Sequence, residues 1–109
     1  MYIVNEKDIK FIELPQRKWK PLKDESNNTK NLLTGISEIQ PGNKTPSHKH
    51  ENSEEVVYVL KGNGIIHFPE SDNNIYPGCV IYIPKNIEHY LESVGKGKLK
   101  LVCVFSPPL

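Results

Sequence analysis

The chain has 109 residues, 37% of them hydrophobic and 25% charged, and a formal net charge of +1. That length suits one domain rather than two. The near-neutral balance argues against a binder driven by phosphate neutralisation, and no run of about 18 apolar residues offers a membrane span.

In chain order, residues 2 to 14 hold Ile3, Val4, Ile9, Phe11, Ile12 and Leu14 before Pro15. Ile9 and Phe11 alternate with charges, which predicts a short amphipathic strand. The Met1–Asp8 start lacks the basic and apolar blocks of a signal peptide, so a cytoplasmic location is expected. Gln16 to Lys23 sets a basic cluster around Trp19. Such a cluster can stack on and neutralise a nucleotide, but a solvated edge with Trp19 covering the core is the simpler reading. Asp24 to Asn31 is polar and predicts a loop. Leu32 to Gln40 reads as a strand, apolar on both faces and hence covered on both sides, ended by Pro41-Gly42.

Gly42 to Pro46 leads into His48-Lys49-His50, and Glu55 opens the β-rich run Val56–Leu60. Gly64 to Pro69 is another strand, and Glu70 to Asn74 reads as a turn. Pro77-Gly78 turns into the apolar strand Cys79–Ile83, stopped by Pro84. Ile87 to Ser93 carries His89. The last strand, Lys98 to Phe105, turns Leu99, Leu101, Cys103 and Phe105 to the core. Cys79 and Cys103, without Cys-x-x-Cys spacing, read as buried thiols. Short strands at roughly 8 to 12 residue spacing, with no sustained helical period, predict an all-β sandwich or barrel.

His48 and His50, two apart on an extended segment, send both imidazoles to one face. Aiming two imidazoles at one point is chiefly a device for holding a metal ion. Glu55 from the next strand and His89 from a distant segment are candidates for the third and fourth ligands; Glu54, the rival of Glu55, would point to the opposite face. The competing reading makes all four surface residues on two strands. His67 could act as a general base near an ion, but it alternates with Ile66 and Phe68 and reads as a surface or interface residue. Tyr58, Tyr82 and Tyr90 could donate a proton, yet each is flanked by apolar residues and reads as packing.

The spacing Gly42, five residues, His48-x-His50, four residues, Glu55, six residues, Gly62 resembles the first motif of the cupin superfamily. Gly78, five residues, Pro84, then His89 resembles the second, over roughly residues 35 to 105 in all. Asn86 stands where that family usually has Gly, and Ser93 where it often has Asn. Asn is the best substitute for Gly at positive φ, so the turn at Asn86 is expected to survive.

The resemblance implies an all-β double-stranded β-helix, or jelly-roll barrel. The single cupin domain would span 1–109, with an N-terminal strand and loop at 1–31 and the barrel core at 32–106. It implies one divalent ion (Mn, Fe, Ni, Zn or Cu) on His48, His50, Glu55 and His89. A small-molecule substrate would sit in the barrel mouth against walls such as Ile66, Phe68, Ile81, Ile83 and Leu91. It also implies a homodimer, with Val56, Tyr58, Val102 and Val104 as candidate contact surface; charge and hydropathy leave no nucleic-acid or membrane partner expected. The chemistry would be that of a dioxygenase, isomerase, decarboxylase or lyase acting on a small oxygen-rich molecule. The alternative is a non-catalytic module that binds a carbohydrate or small effector, and a weaker one is a structural dimer without ligand. No general base is identified.

Overall fold

The structure of the protein is a computed structural model describing residues 2–23 and 29–109. A 3-10 turn at Glu6–Asp8 precedes β1 (Ile12–Leu14), β2 (Arg17–Pro21), β3 (Leu33–Ile39), β4 (Glu54–Lys61) and β5 (Gly64–Phe68). Then follow β6 (Ser71–Ile75), β7 (Val80–Ile83), β8 (Tyr90–Ser93) and β9 (Leu99–Ser106). One antiparallel sheet runs β1-β2-β3-β9-β4-β7, and a second runs β6-β5-β8. The segment after Gly42 extends the second sheet beyond β8, through backbone bonds that join Gly42 to Ser93, Thr45 to Leu91 and His48 to His89. The architecture is the expected jelly-roll barrel.

Alternation places the core. Along β9, Leu99, Leu101, Cys103 and Phe105 are buried while the residues between them are half-exposed. Along β4, Glu55, Val57 and Val59 are buried, whereas Val56, Tyr58 and Leu60 face out. Ile66, Ile75 and Leu91 from the second sheet close on them. A fully buried Leu such as Leu99 or Leu101 is stabilised by roughly 1.5–3 kcal/mol relative to exposure. At Gly62, with φ 86°, an added Cβ would lie 2.3 Å from the Lys98 carbonyl oxygen, so both dihedral and space exclude a side chain.

β3 is buried on both faces, as its sequence predicts. Its neighbour β2 departs from expectation. The 17–21 segment is not a solvated edge: it pairs with both β1 and β3. Trp19 does pack against the core, edge-on to Phe105 at 5.9 Å. Lys20, on the other face, is 5% exposed. Its ammonium donates to the Glu6 carbonyl at 2.7 Å and lies 4.4 Å from the Phe11 ring centroid. The N-terminal segment therefore lies over the outer face of β2, held by Glu6, which also pairs with Lys100 from β9.

The first strand begins at Ile12, later than the alternation at Ile9 and Phe11 suggests. The expected turn at Glu70–Asn74 is instead mostly strand: Ser71–Ile75 forms β6, and the reversal falls at Pro69-Glu70. β6 is an exposed edge strand, so its Ser, Asp and Asn residues meet water while the β5 ladder holds the backbone. Most of the loop expected at 24–31 lies outside the described residues.

Candidate metal centre

Three backbone features gather the imidazoles. The extended chain at His48–His50 turns both side chains to one side. His48 and His89 exchange both backbone hydrogen bonds, at 3.0 and 2.9 Å, as an isolated antiparallel pair. Asn86 holds the left-handed conformation at φ 64°, and its N–H donates to the His50 carbonyl at 3.0 Å. Asn does here what the sequence predicts for it in place of Gly. Glu55 enters from β4 on the inward parity of Val57 and Val59. Glu54 points outward, and its carboxylate accepts a hydrogen bond from the Tyr82 hydroxyl at 2.8 Å.

One ring nitrogen from each of His48, His50 and His89 lies within 4.8 Å of the other two. Nδ1 of His48 is 2.8 Å from the Pro46 carbonyl, and Nδ1 of His89 is 2.8 Å from the Ile87 carbonyl. A carbonyl only accepts, so each Nδ1 carries a proton, and in the neutral ring each Nε2 keeps its lone pair. Glu55 Oε1 stands 3.6 Å from Nε2 of His50 and 3.6 Å from Nε2 of His89. That oxygen is buried and has no hydrogen-bond partner among the described residues. With the His89 ring neutral, its Nε2 lone pair faces a carboxylate with no proton between them. Such an arrangement is costly in a low-dielectric interior unless a cation sits there. Three imidazoles and one carboxylate suit a divalent transition metal, so the donor set fits the ion that the motifs imply.

The electrostatics agree. Burial pushes the His48 imidazole below its ordinary range against the opposing bond to the Pro46 carbonyl; His89, Arg17 and His50 push it the same way as burial. Burial also lowers His50, opposed by the Glu55 charge and reinforced by His89 and Arg17. Both rings are therefore neutral at physiological pH, the state that ligates metal. Burial and the Glu55 charge raise the Cys103 thiol well above its usual range, with Arg17 opposing, so the thiol is not a ready nucleophile.

A cavity of about 120 Å³ opens onto this cluster. Its apolar walls are Leu14, Trp19, Leu91, Phe105 and Leu109; Arg17, Ser37 and Cys103 add polar groups. Of the expected wall residues only Leu91 is present. Ile66, Phe68 and Ile81 line a separate cleft between β5, β6 and β7, and Ile83 sits in the core. The reason is topological: β2 continues the larger sheet past β3, and its Arg17 and Trp19 supply the wall. His67 lies away from the cavity, as expected. It sits between Asp72 at 2.6 Å and Glu92 at 2.9 Å and stacks on Tyr90 at 4.2 Å. Tyr58 and Tyr82 are exposed on the outer sheet face, so neither meets the cavity.

Arg17 is the site residue missed from the sequence. The signal was there: in Arg17-Lys18-Trp19-Lys20, period-2 alternation puts Arg17 on the same face as the core-covering Trp19.

Comparison with known proteins gives the same picture. The chain is 39% identical over 84 residues to an uncharacterized protein of Methanocaldococcus jannaschii, covering 72% of this chain and 67% of that protein. It is 39% identical over 74 residues to an L-ectoine synthase of Bordetella parapertussis, covering 65% of this chain and 54% of the synthase. The chain spans about half the length of several curated relatives it matches. Among solved structures, a predicted oxalate decarboxylase of Thermotoga maritima superposes with a TM-score of 0.86 at 23% identity, covering 98% of this chain and all of that one, a likeness of fold. A family profile described as the cupin domain matches residues 35–105, and with the jelly roll and the histidine cluster now described, the chain belongs to the cupin family.

Proposed function

We propose that His48, His50, His89 and Glu55 hold one divalent transition-metal ion and that the chain is an enzyme acting on a small oxygen-rich molecule beside it. The observation that carries this reading is Glu55 Oε1, buried and unpartnered, 3.6 Å from two imidazole nitrogens. Bound there, an ion would supply Lewis acidity to a ligand oxygen. The residues around it orient His48 and His89 through the Pro46 and Ile87 carbonyls, present apolar surface from Trp19, Phe105 and Leu91, and keep His48 and His50 neutral. Metal analysis of the purified protein tests the site. A stoichiometric ion that is lost in both His48→Ala and His89→Ala supports it; an ion retained in both variants removes it.

A second reading, a non-catalytic binding module, has its own support. Among the described residues lining the cavity, no titratable side chain outside the four proposed ligands is poised as a base at neutral pH: Arg17 is permanently charged, and the Cys103 thiol is raised. Turnover or oxygen uptake against a panel of keto acids, phenolics and sugars separates the two readings.

We further take residues 1–109 as one domain, with the barrel at 32–106, and place it in the cytoplasm, which two unpaired cysteines support. A homodimer is supported by the outer face of β4, β7 and β9. There Val56, Tyr58, Val80 and Tyr82 are 38%, 42%, 64% and 56% exposed, beside half-buried Val102 and Val104.

A further inference from the structure

The cavity holds one cation that the proposed ion site does not use. Arg17 opens β2 directly after the Pro15-Gln16 turn, where Gln16 at φ 64° folds the chain back and pairs Leu14 with Arg17. It shares parity with Trp19, and both line the cavity beside His48, His50 and Glu55. The guanidinium is half-buried and has no carboxylate within 4.0 Å among the described residues. Of the nearby acids, Glu13 pairs with Lys18 at 3.6 Å, Glu38 pairs with Lys98 at 3.0 Å, and Glu55 turns Oε1 to the imidazoles of His50 and His89 at 3.6 Å.

An arginine cannot shed its proton to escape desolvation, so a half-buried guanidinium without a partner is costly. The burial works against its charge, with Cys103 and Glu55 on the favourable side. What relieves it is an anion of matching shape, and the planar fork fits a carboxylate through two parallel hydrogen bonds. Among the described residues no lysine lines the cavity, so a phosphate would find there this one cationic donor. A cavity of about 120 Å³ suits a small acid. Trp19 and Phe105 supply apolar surface for its carbon atoms.

We propose that Arg17 anchors the carboxylate of a small organic acid in this cavity, with the remaining oxygen atoms of the acid turned toward the imidazoles and Glu55. The orientation rests on reading the cluster as an ion site; the anchor needs only the cavity and the guanidinium.

The test titrates pyruvate, acetate and oxalate into the purified protein by calorimetry and by the emission of Trp19, the sole tryptophan. Pyruvamide serves as the uncharged analogue and inorganic phosphate as the competing anion, with ion content measured in every sample. At least one of the three acids should saturate the wild type. Arg17→Met should weaken its binding about 10- to 100-fold, the typical scale for losing hydrogen bonds to a charged group. Arg17→Lys, which keeps charge but loses the fork and guards against misfolding, should fall between. Neither variant should change ion content.

Equal affinity in Arg17→Met overturns the proposal. So does pyruvamide or phosphate binding as tightly as the best acid, or no saturation by any of the three acids. A wild-type protein without stoichiometric ion would refute the metal reading alone, and the Arg17 effect on acid affinity would still decide the anchor.

Discussion

Gly35 on β3 seats the indole of Trp19, and replacing it with alanine should unseat that ring. A Cβ at Gly35 would lie 2.1 Å from Trp19 Cη2 and 2.6 Å from Cζ2 and Cζ3. Carbon atoms pack at about 3.5–4.0 Å, so the ring edge must retreat by about 1.5 Å. Phe105 stands edge-on at 5.9 Å on the core side, and the open direction is the cavity of about 120 Å³. Overpacking of this kind costs about 1–3 kcal/mol. The alanine returns about 0.4–1 kcal/mol by restricting the unfolded chain. The net loss is about 1–2 kcal/mol, and at about 4–8 °C per kcal/mol for a domain near this size Tm should fall by about 5–15 °C. Thermal unfolding followed by circular dichroism reads the loss, and the emission of the only tryptophan reads the ring displacement in the same sample. Ion content should not change, because no proposed ligand touches the substitution. A Tm within about 2 °C of wild type, with unaltered emission, would mean the indole is not seated on Gly35, and the packing argument for the cavity wall would fail.

His67 should give stability a pH dependence opposite to that of the buried site histidines. Desolvation opposes its charge, but hydrogen bonds to Glu92 and Asp72, with their charges, outweigh it and raise its pKa above 6.5. Its stabilisation is fully present below that ordinary value and is lost as pH rises through the raised folded value. His48 and His50, lowered by burial, instead add stability as pH rises through the ordinary range. Urea denaturation at pH 6 and pH 8 should therefore show the difference between wild type and His67→Gln shrinking at the higher pH; a difference that grows would reverse the sign assigned here. At Asn86, φ 64° predicts that Asn86→Gly stays within a few tenths of a kcal/mol while Asn86→Val loses about 1–2 kcal/mol. Equal stabilities in the two variants would contradict the left-handed turn. Tyr58→Glu, on the exposed outer face, should yield a monomer by sedimentation velocity if wild type is a dimer built on that face, and a dimer that persists in the variant moves the contact elsewhere.

Much of the barrel was legible because β9 and β4 alternate cleanly, and because burial on one parity and exposure on the other leaves little freedom of register. The cluster was legible for a related reason. His48 and His50 share a parity, Glu55 carries the parity of Val57 and Val59, and Asn86 is a residue type that tolerates positive φ. β6 was obscured because its Ser, Asp and Asn side chains face water and carry turn chemistry, while its backbone pairing with β5 is a tertiary fact. β2 was obscured because Lys18 and Lys20 suggest solvent, yet Lys20 is buried under Glu6 and Phe11, contacts made across 14 and 9 positions of chain. The cavity walls were misplaced because a strand pattern reports which side of a sheet a residue occupies, not which neighbouring strand will wall the cavity.

That wall divides the labour of the molecule along the chain. The four proposed ligands fall inside the stretch that the family profile spans, 35–105, whereas Leu14, Arg17 and Trp19 precede it and Leu109 follows it. Cradle and doorway thus come from different parcels of polypeptide, joined where Trp19 meets Phe105 and Phe105 meets the His50 ring at 5.0 Å.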